Sequence, residues 1–287
     1  MDTNERISVY GAFGFVLGEF CRQNPEEVLR VEKSVVEPPT SKILYGISTT
    51  DNYNVFDNPY VDIETNLLHL ISVLEAAHKK FGNRFHFTFI SSWFVYGQIE
   101  FPMVTNYPLH EEAHCNPKGF YSITKRAAEQ LLISYCETFK ISYTILRLAN
   151  VLGYRDMKVS TKKNALQYLI DKIVHSEPVE LYDRGEFWRD YIDVRDCARA
   201  IKLALGEQNK IINISNGTSY LFKDLIDMAV RLSGSKSLVV DKLHKPEFHA
   251  VVQSKDVFLS NEKLRALGYE QQFPMEQTIK DIVENYK

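Results

Sequence analysis

The chain of 287 residues predicts an α/β fold: a doubly wound parallel sheet that carries a smaller C-terminal lobe. Two observations lead there. Short β-rich runs alternate with longer segments of helical period through the first half, which is the pattern of parallel strands joined by crossover helices. The apolar run Ile7-Ser8-Val9-Tyr10 also leads directly into GAFGFVLGEF, a glycine-punctuated turn at the head of a helix. Composition agrees with this. At 45% apolar and 25% charged residues, with a formal net charge of -3, the chain is neither disordered nor a general nucleic-acid binder.

Taken in order, strands are expected near 7–10, 43–47, 86–91 and 142–147. Between them, NLLHLISVLEAAHKK (Asn66 to Lys80) and the stretch Tyr121 to Phe139 space their apolar residues as helices that pack on a sheet. Only about twenty residues separate the end of the first helix near Gln23 from the strand at Ile43, too few for a strand, a helix and another strand. The adenosine side of any dinucleotide site is therefore expected to be abbreviated. After Asn150-Val151-Leu152-Gly153 the pattern is less regular, with a helix near 163–175, short strands at 179–182 and 211–214, and helices near 221–233 and 274–286. Asp193 to Leu205 reads as a capped helix that returns to the first domain. The division that follows is a dinucleotide-binding domain over 1–155, rejoined by 191–206, and a substrate-binding lobe made mainly from 156–287.

No apolar run approaches the roughly 18 residues of a membrane span, and the short polar N-terminus MDTNER resembles no leader, so a cytoplasmic protein without membrane partners is expected. The cysteines Cys21, Cys115, Cys136 and Cys197 are scattered, which argues against disulfides and zinc ribbons. HEEAH at 110–114 has the letters of a zinc-binding helix, but Pro108 before it and Asn116-Pro117 after it leave no room for one. No metal is expected.

Chemistry enters with YSITK. On a helix, Tyr121 and Lys125 share a face, and a nearby ammonium favours phenolate and lowers the phenol's proton affinity. Upstream, ISSWFVYG (90–97) ends a strand with two hydroxyls; downstream come ILRLANVLG (145–153) and GEFWRDYIDVRD (185–196). In this order these segments resemble the extended short-chain dehydrogenase/reductase family of nucleotide-sugar epimerases, dehydratases and reductases, and they cover nearly the whole chain. The resemblance implies a Rossmann-type sheet, NAD or NADP as cofactor and a nucleotide-diphosphate sugar as substrate. Ser92, Tyr121 and Lys125 match the family's catalytic set. Gly11, Phe13, Gly14, Phe15 and Val16 match its pyrophosphate turn, and Asn66 and Ser91 match positions beside the cofactor. Ser92, Trp93, Asn150 and Arg189 fall where the substrate lies, with Arg189 matching an arginine that grips the diphosphate. The resemblance also implies a homodimer built on the helices at 66–80 and 121–139.

Departures from the pattern shape the reading. Leu17 stands where the third glycine is expected, so the helix either sits farther from the strand or begins a residue late, near Gly18. The acid that grips the adenosine ribose has no clear counterpart, while Arg30 and Lys33 are either ordinary surface charges or partners for a 2′-phosphate. Trp93 and Phe94 replace the acidic pair of the dehydrating members, which removes the groups that elimination needs. The expected activity is epimerisation through a keto sugar, with reduction of a 4-keto-6-deoxy nucleotide sugar as the alternative. A non-catalytic binding descendant is the reading from another class. His249 lies near a second expected phosphate-binding position.

Overall fold

Four consecutive buried residues, Ile7–Tyr10, form β1. Strands buried on both faces belong inside a parallel sheet, and β1 lies second in a six-stranded one. The order is β2 (Val28–Val31), β1, β3 (Lys42–Tyr45), β4 (His86–Ser92), β5 (Ser142–Leu148) and β9 (Lys210–Ile214). All neighbouring pairs are parallel. The computed structural model describes residues 6–50, 53–97, 108–156, 164–242, 247 and 256–287. His249 lies outside them.

The period of two along β1 sends its side chains to opposite layers. Val9 joins Leu17 and Phe20 of helix α1 (Phe15–Gln23) and Ala198 and Ile201 of α7 (Val194–Ala204). Tyr10 joins Leu70 and Leu74 of α4 (His69–Phe81) and Ala128 and Leu132 of α5 (Phe120–Phe139). Two short helices, α2 (Asn54–Asp57) and α3 (Tyr60–Ile63), and a π-helical turn (Glu64–Leu68) precede α4.

The abbreviation near the N-terminus takes a definite form. The common doubly wound order 3-2-1-4-5-6 places two strands beyond the first, whereas here β2 alone lies beyond β1 and is the sheet edge. β2, which the sequence reading did not foresee, is present; the helix and further strand that would follow it are not. The segment from Glu32 to Ser41 runs without helix to β3. It is fastened over the sheet by side chains beneath it: Tyr10 donates to the Val36 carbonyl, and a His69 ring nitrogen meets the Lys33 carbonyl.

The second region contains a three-stranded sheet, β10 (Ser219–Leu221), β8 (Trp188–Asp193) and β6 (Asn150–Leu152), and a pair formed by β11 (Val239–Lys242) and β7 (Val179–Tyr182). Its core joins α6 (Ala165–Val174), α8 (Phe222–Ser233) and α10 (Met275–Tyr286) through Ile170, Leu225 and Ile279; the short α9 (Glu262–Ala266) packs against β9. The strand near 211–214, expected in this region, instead closes the large sheet as β9 beside β5.

Candidate active site

The turn after β1 is shaped by two glycines. Gly11 has φ of +88°, and a Cβ there would come within 3.1 Å of the Gly46 carbonyl. Gly14 caps α1, which starts at Phe15, and the Gly18 N–H closes an ordinary helical bond onto the Gly14 carbonyl. The late helix start near Gly18 is therefore corrected. Leu17 fits for a different reason: a Cβ on Gly46, just after β3, would lie 2.5 Å from Leu17 Cδ1. The glycine missing from the helix is supplied by the neighbouring strand. A nine-residue helix whose first N–H groups open beside a tight turn fits a pyrophosphate, because those groups have no intrahelical acceptor. Phe13 is exposed in that turn, and the Phe15 ring lies against Gly153. Val16 packs against the adjoining core.

The carboxyl end of β3 adjoins this turn, with Gly46 against Gly11, and that of β4 follows beside it. The strand period separates the two serines of β4. Ser91 points inward and donates to Glu129 at 2.6 Å. Ser92 ends the strand and accepts the Phe94 N–H, and its hydroxyl lies near enough to Tyr121 to favour the phenolate. Tyr121 sits in the first turn of α5, and Phe94 meets its ring edge-on, with centroids 5.8 Å apart.

Lys125 follows one helical turn later and is buried. Its Nζ donates to the Ile90 carbonyl at 2.6 Å and lies 4.3 Å from the centre of the Phe89 ring. Burial pushes its ammonium down to about 7, against a smaller opposing pull from Glu129. Tyr121 goes the other way: burial pushes its phenol up to about 12, the Ser92 hydrogen bond lowers it, and Asp62 raises it. The sequence expectation that Lys125 would lower the phenol is corrected here, because desolvation outweighs the favourable contacts.

Asn66, in the π-helical turn, is 1% exposed. Its carbonyl accepts from Ser48 Oγ and the Thr49 N–H, and its amide donates to Thr49 Oγ1 and Thr124 Oγ1. Two acceptor sites and two donors exhaust an asparagine. It ties the loop after β3 to the tyrosine's helix.

Directly after Ser92, Trp93 stacks on Phe94 at 4.0 Å and donates Nε1–H to Asn150, whose own amide donates to the Asp190 carbonyl. Asn150 thus joins the large sheet to β8. Arg189 is buried on β8, with its guanidinium 4.7 Å from the Phe187 ring centre and 5.8 Å from Trp93. Flat cations stack well on such rings. Its Nη1 donates to the Trp188 carbonyl. Of the nearby carboxylates in sequence, Asp190 accepts the Leu259 N–H and Asp196 pairs with Arg199.

The sequence reading missed several supporting residues. Glu129, two turns after Tyr121 on the same helical face, is fully buried and held bidentate by Arg147, and also by Arg126 and Ser91. Its i+8 spacing was the available signal. Glu32 directly follows β2, the position where an acid can accept from an adenosine ribose. It was overlooked because β2 was not foreseen. HEEAH is a turn, not a helix, in which Glu111 accepts the Asn213 N–H. Among the described residues no cluster of histidine, cysteine and carboxylate side chains suits a metal ion, and no helix is long and apolar enough to cross a membrane.

Comparison with known proteins places these features in context. A sequence profile described as the NAD dependent epimerase/dehydratase family matches residues 22–215. A Methanocaldococcus jannaschii protein provisionally named UDP-glucose 4-epimerase is 27% identical over 232 residues, covering 80% of this chain and 72% of its own. The GDP-6-deoxy-D-mannose reductase of Pseudomonas aeruginosa is 24% identical over 237 residues, 81% of this chain and 75% of its own. In shape, the chain is similar to the Thermus thermophilus UDP-glucose 4-epimerase solved with NAD, with a TM-score of 0.82, 22% identity and 98% coverage of both chains. That last likeness establishes the fold alone.

Proposed function

Since the chain belongs to the NAD dependent epimerase/dehydratase family, whose profile spans more than half of it, we propose that it is an NAD(P)-dependent nucleotide-sugar epimerase acting through a keto-sugar intermediate. The observation that carries this reading is the meeting of Ser92, at the carboxyl end of β4, with Tyr121 and with Lys125 one helical turn further on, while Arg189 lies near Trp93, the residue after Ser92. Gly11, Phe13, Gly14, Phe15 and Val16 would surround the pyrophosphate, and Ser91, Asn66 and Lys125 would lie behind the nicotinamide ribose. The bound dinucleotide supplies hydride exchange. The chain's own residues do the rest.

Ser92 holds the reacting sugar oxygen by a hydrogen bond, and Tyr121 takes its proton on oxidation and returns one on reduction. Trp93 and Phe94, stacked beside the phenol, keep water from the ring. Arg189 binds the diphosphate and so fixes the sugar's approach, while Asn150 keeps that strand registered to the catalytic one. No carboxyl stands at 93 or 94 to remove a proton and expel a hydroxyl, which speaks against dehydration. Glu32 favours NAD over NADP, since a 2′-phosphate beside a carboxylate would be repelled.

Burial of the Tyr121 phenol favours the reductase alternative. A phenol pushed up to about 12 is a poor base at neutral pH and a ready proton donor to a ketone. A panel of UDP-, GDP- and dTDP-hexoses and their 4-keto-6-deoxy forms separates the two readings. Interconversion of stereoisomers by NMR at constant nicotinamide absorbance is expected for the epimerase, whereas stoichiometric oxidation of NAD(P)H would assign the reductase. Exposed Ile123, Leu131 and Phe139 on α5 favour a homodimer through that helix; a monomeric mass by light scattering would contradict it.

A further inference from the structure

Segment 32–41 stands where the common doubly wound order has a helix and a further strand, and it contains neither. With no ladder of its own, its path is set by the side chains that meet its carbonyls. Towards its end, Lys80 of α4 donates to the Pro38 carbonyl at 3.1 Å and pairs with Glu37 at 2.9 Å. In the middle, the Tyr10 hydroxyl donates to the Val36 carbonyl at 3.0 Å. At its start, a His69 ring nitrogen, Nε2, lies 2.8 Å from the Lys33 carbonyl.

The chemistry of that last contact fixes the state of the ring. A carbonyl only accepts, so Nε2 carries the proton that faces Lys33. In the neutral imidazole Nδ1 is then the acceptor, and it receives the Tyr45 hydroxyl at 2.8 Å. Tyr45 ends β3, is 0% exposed and packs its ring against Tyr10 and Phe87, with centroids 5.7 and 5.6 Å away. The relay Tyr45–His69–Lys33 therefore starts in the sheet's core and ends one residue beyond Glu32. Glu32 is exposed on irregular backbone. A group so placed loses conformational freedom when it closes on a ligand, which weakens binding unless the backbone is already held.

We propose that segment 32–41 is the adenosine-side wall of the dinucleotide site and that His69, as its Nε2–H tautomer, is a positioning residue for the cofactor. Latched to Tyr45, it holds Lys33 and so presents Glu32 to the adenosine ribose, a role that rests on the reading of the chain as a dinucleotide-binding enzyme. One imidazole and one phenol thus brace the second strand's end in place of the missing helix.

Two measurements test this. Long-range 1H–15N NMR of the histidine-labelled wild type at about pH 8, where an ordinary imidazole is neutral, needs no ligand. It should show His69 as the Nε2–H tautomer, its signals identified by their loss in His69→Gln; the Nδ1–H tautomer would overturn the latch. In calorimetric titration with NAD+, His69→Leu should raise Kd about three- to tenfold, the worth of one hydrogen bond. His69→Gln, whose amide can still donate to the Lys33 carbonyl, should stay near the wild type. On a Glu32→Ala background His69→Leu should have almost no further effect, because the carboxylate it positions is gone. Unchanged affinity in folded His69→Leu overturns the proposal, and so does a loss of equal size with and without Glu32. Should His69→Leu fail to fold, Tyr45→Phe takes its place: a smaller loss that again depends on Glu32 supports the role, and no loss overturns it. A wild type that binds neither NAD+ nor NADP+ is a separate failure, since it removes the dinucleotide reading itself and this role with it.

Discussion

The two ends of the proposed dinucleotide groove are built differently. At the nicotinamide end, Ser92, Tyr121 and Lys125 are embedded among partners, and behind them Ser91, Glu129 and Arg147 form a buried network with every contact made. At the adenosine end, β2 is the sheet edge among the described residues, no helix lies between it and β3, and Glu32 is exposed. The contrast separates two requirements. A proton donor must be held within tenths of an ångström and shielded from water, whereas the adenosine half is a handle that a few contacts can grip. Trimming the handle leaves the reacting end intact.

The Gly11–Gly14 turn joins both ends, and its repair is instructive. Leu17 fills space that a glycine would leave empty, and Gly46 yields that space from the adjacent strand. Packing density is preserved by a pair of positions.

Perturbing each end should give effects of different kind and size. The largest belongs to Tyr121→Phe, which removes the proton donor and keeps the ring against Phe94. Turnover should fall about 10²–10⁴-fold with cofactor affinity nearly unchanged, as read from steady-state rates and dinucleotide titration. A comparable loss of cofactor binding would erase the distinction between the two ends.

Next is Lys125→Met. Burial holds the ammonium at about 7, below its value in the unfolded chain. Between about pH 7 and the usual lysine value near 10.4, the unfolded chain binds a proton that the folded chain does not. Lys125 therefore makes stability rise with pH across that window and costs stability below it. The methionine variant should melt a few degrees higher at pH 7 and lose that part of the pH slope in denaturation measured from pH 7 to 10. A lower melting temperature at pH 7 would show that the Ile90 and Phe89 contacts outweigh desolvation.

The smallest effect is expected at the turn. Gly46→Ala forces a new methyl against Leu17 and should destabilise by about 1–3 kcal/mol, while on a Leu17→Ala background the same change should cost much less. Additive costs in the double-mutant cycle would mean that the two positions do not share the space.

Much of this was legible in the sequence because it is periodic or local. The alternating runs predicted β1, β3, β4 and β5, and YSITK placed Tyr121 and Lys125 on one face. The shortage of residues before Ile43 predicted the missing helix and strand. Other features depend on contacts distant in sequence. β2 escaped notice because VLRV breaks its apolar run with the exposed Arg30, and with it went the placement of Glu32. The strand at 210–214 could be assigned to its sheet only by its pairing with β5. The direction of the Tyr121 shift also escaped, since spacing reveals a neighbouring lysine but neither the burial of the phenol nor the charge of Asp62. Gly46 as the partner of Leu17 is likewise a fact of packing.

The most direct measurement is calorimetric titration of NAD+ into the wild type and into Gly11→Val, whose side chain would strike the Gly46 carbonyl. Saturable binding near one equivalent in the wild type, with a matching rise in melting temperature and loss of both in the variant, is the predicted result. Absence of binding by both NAD+ and NADP+ to the wild type would contradict the account, because Tyr121 would then have no hydride partner.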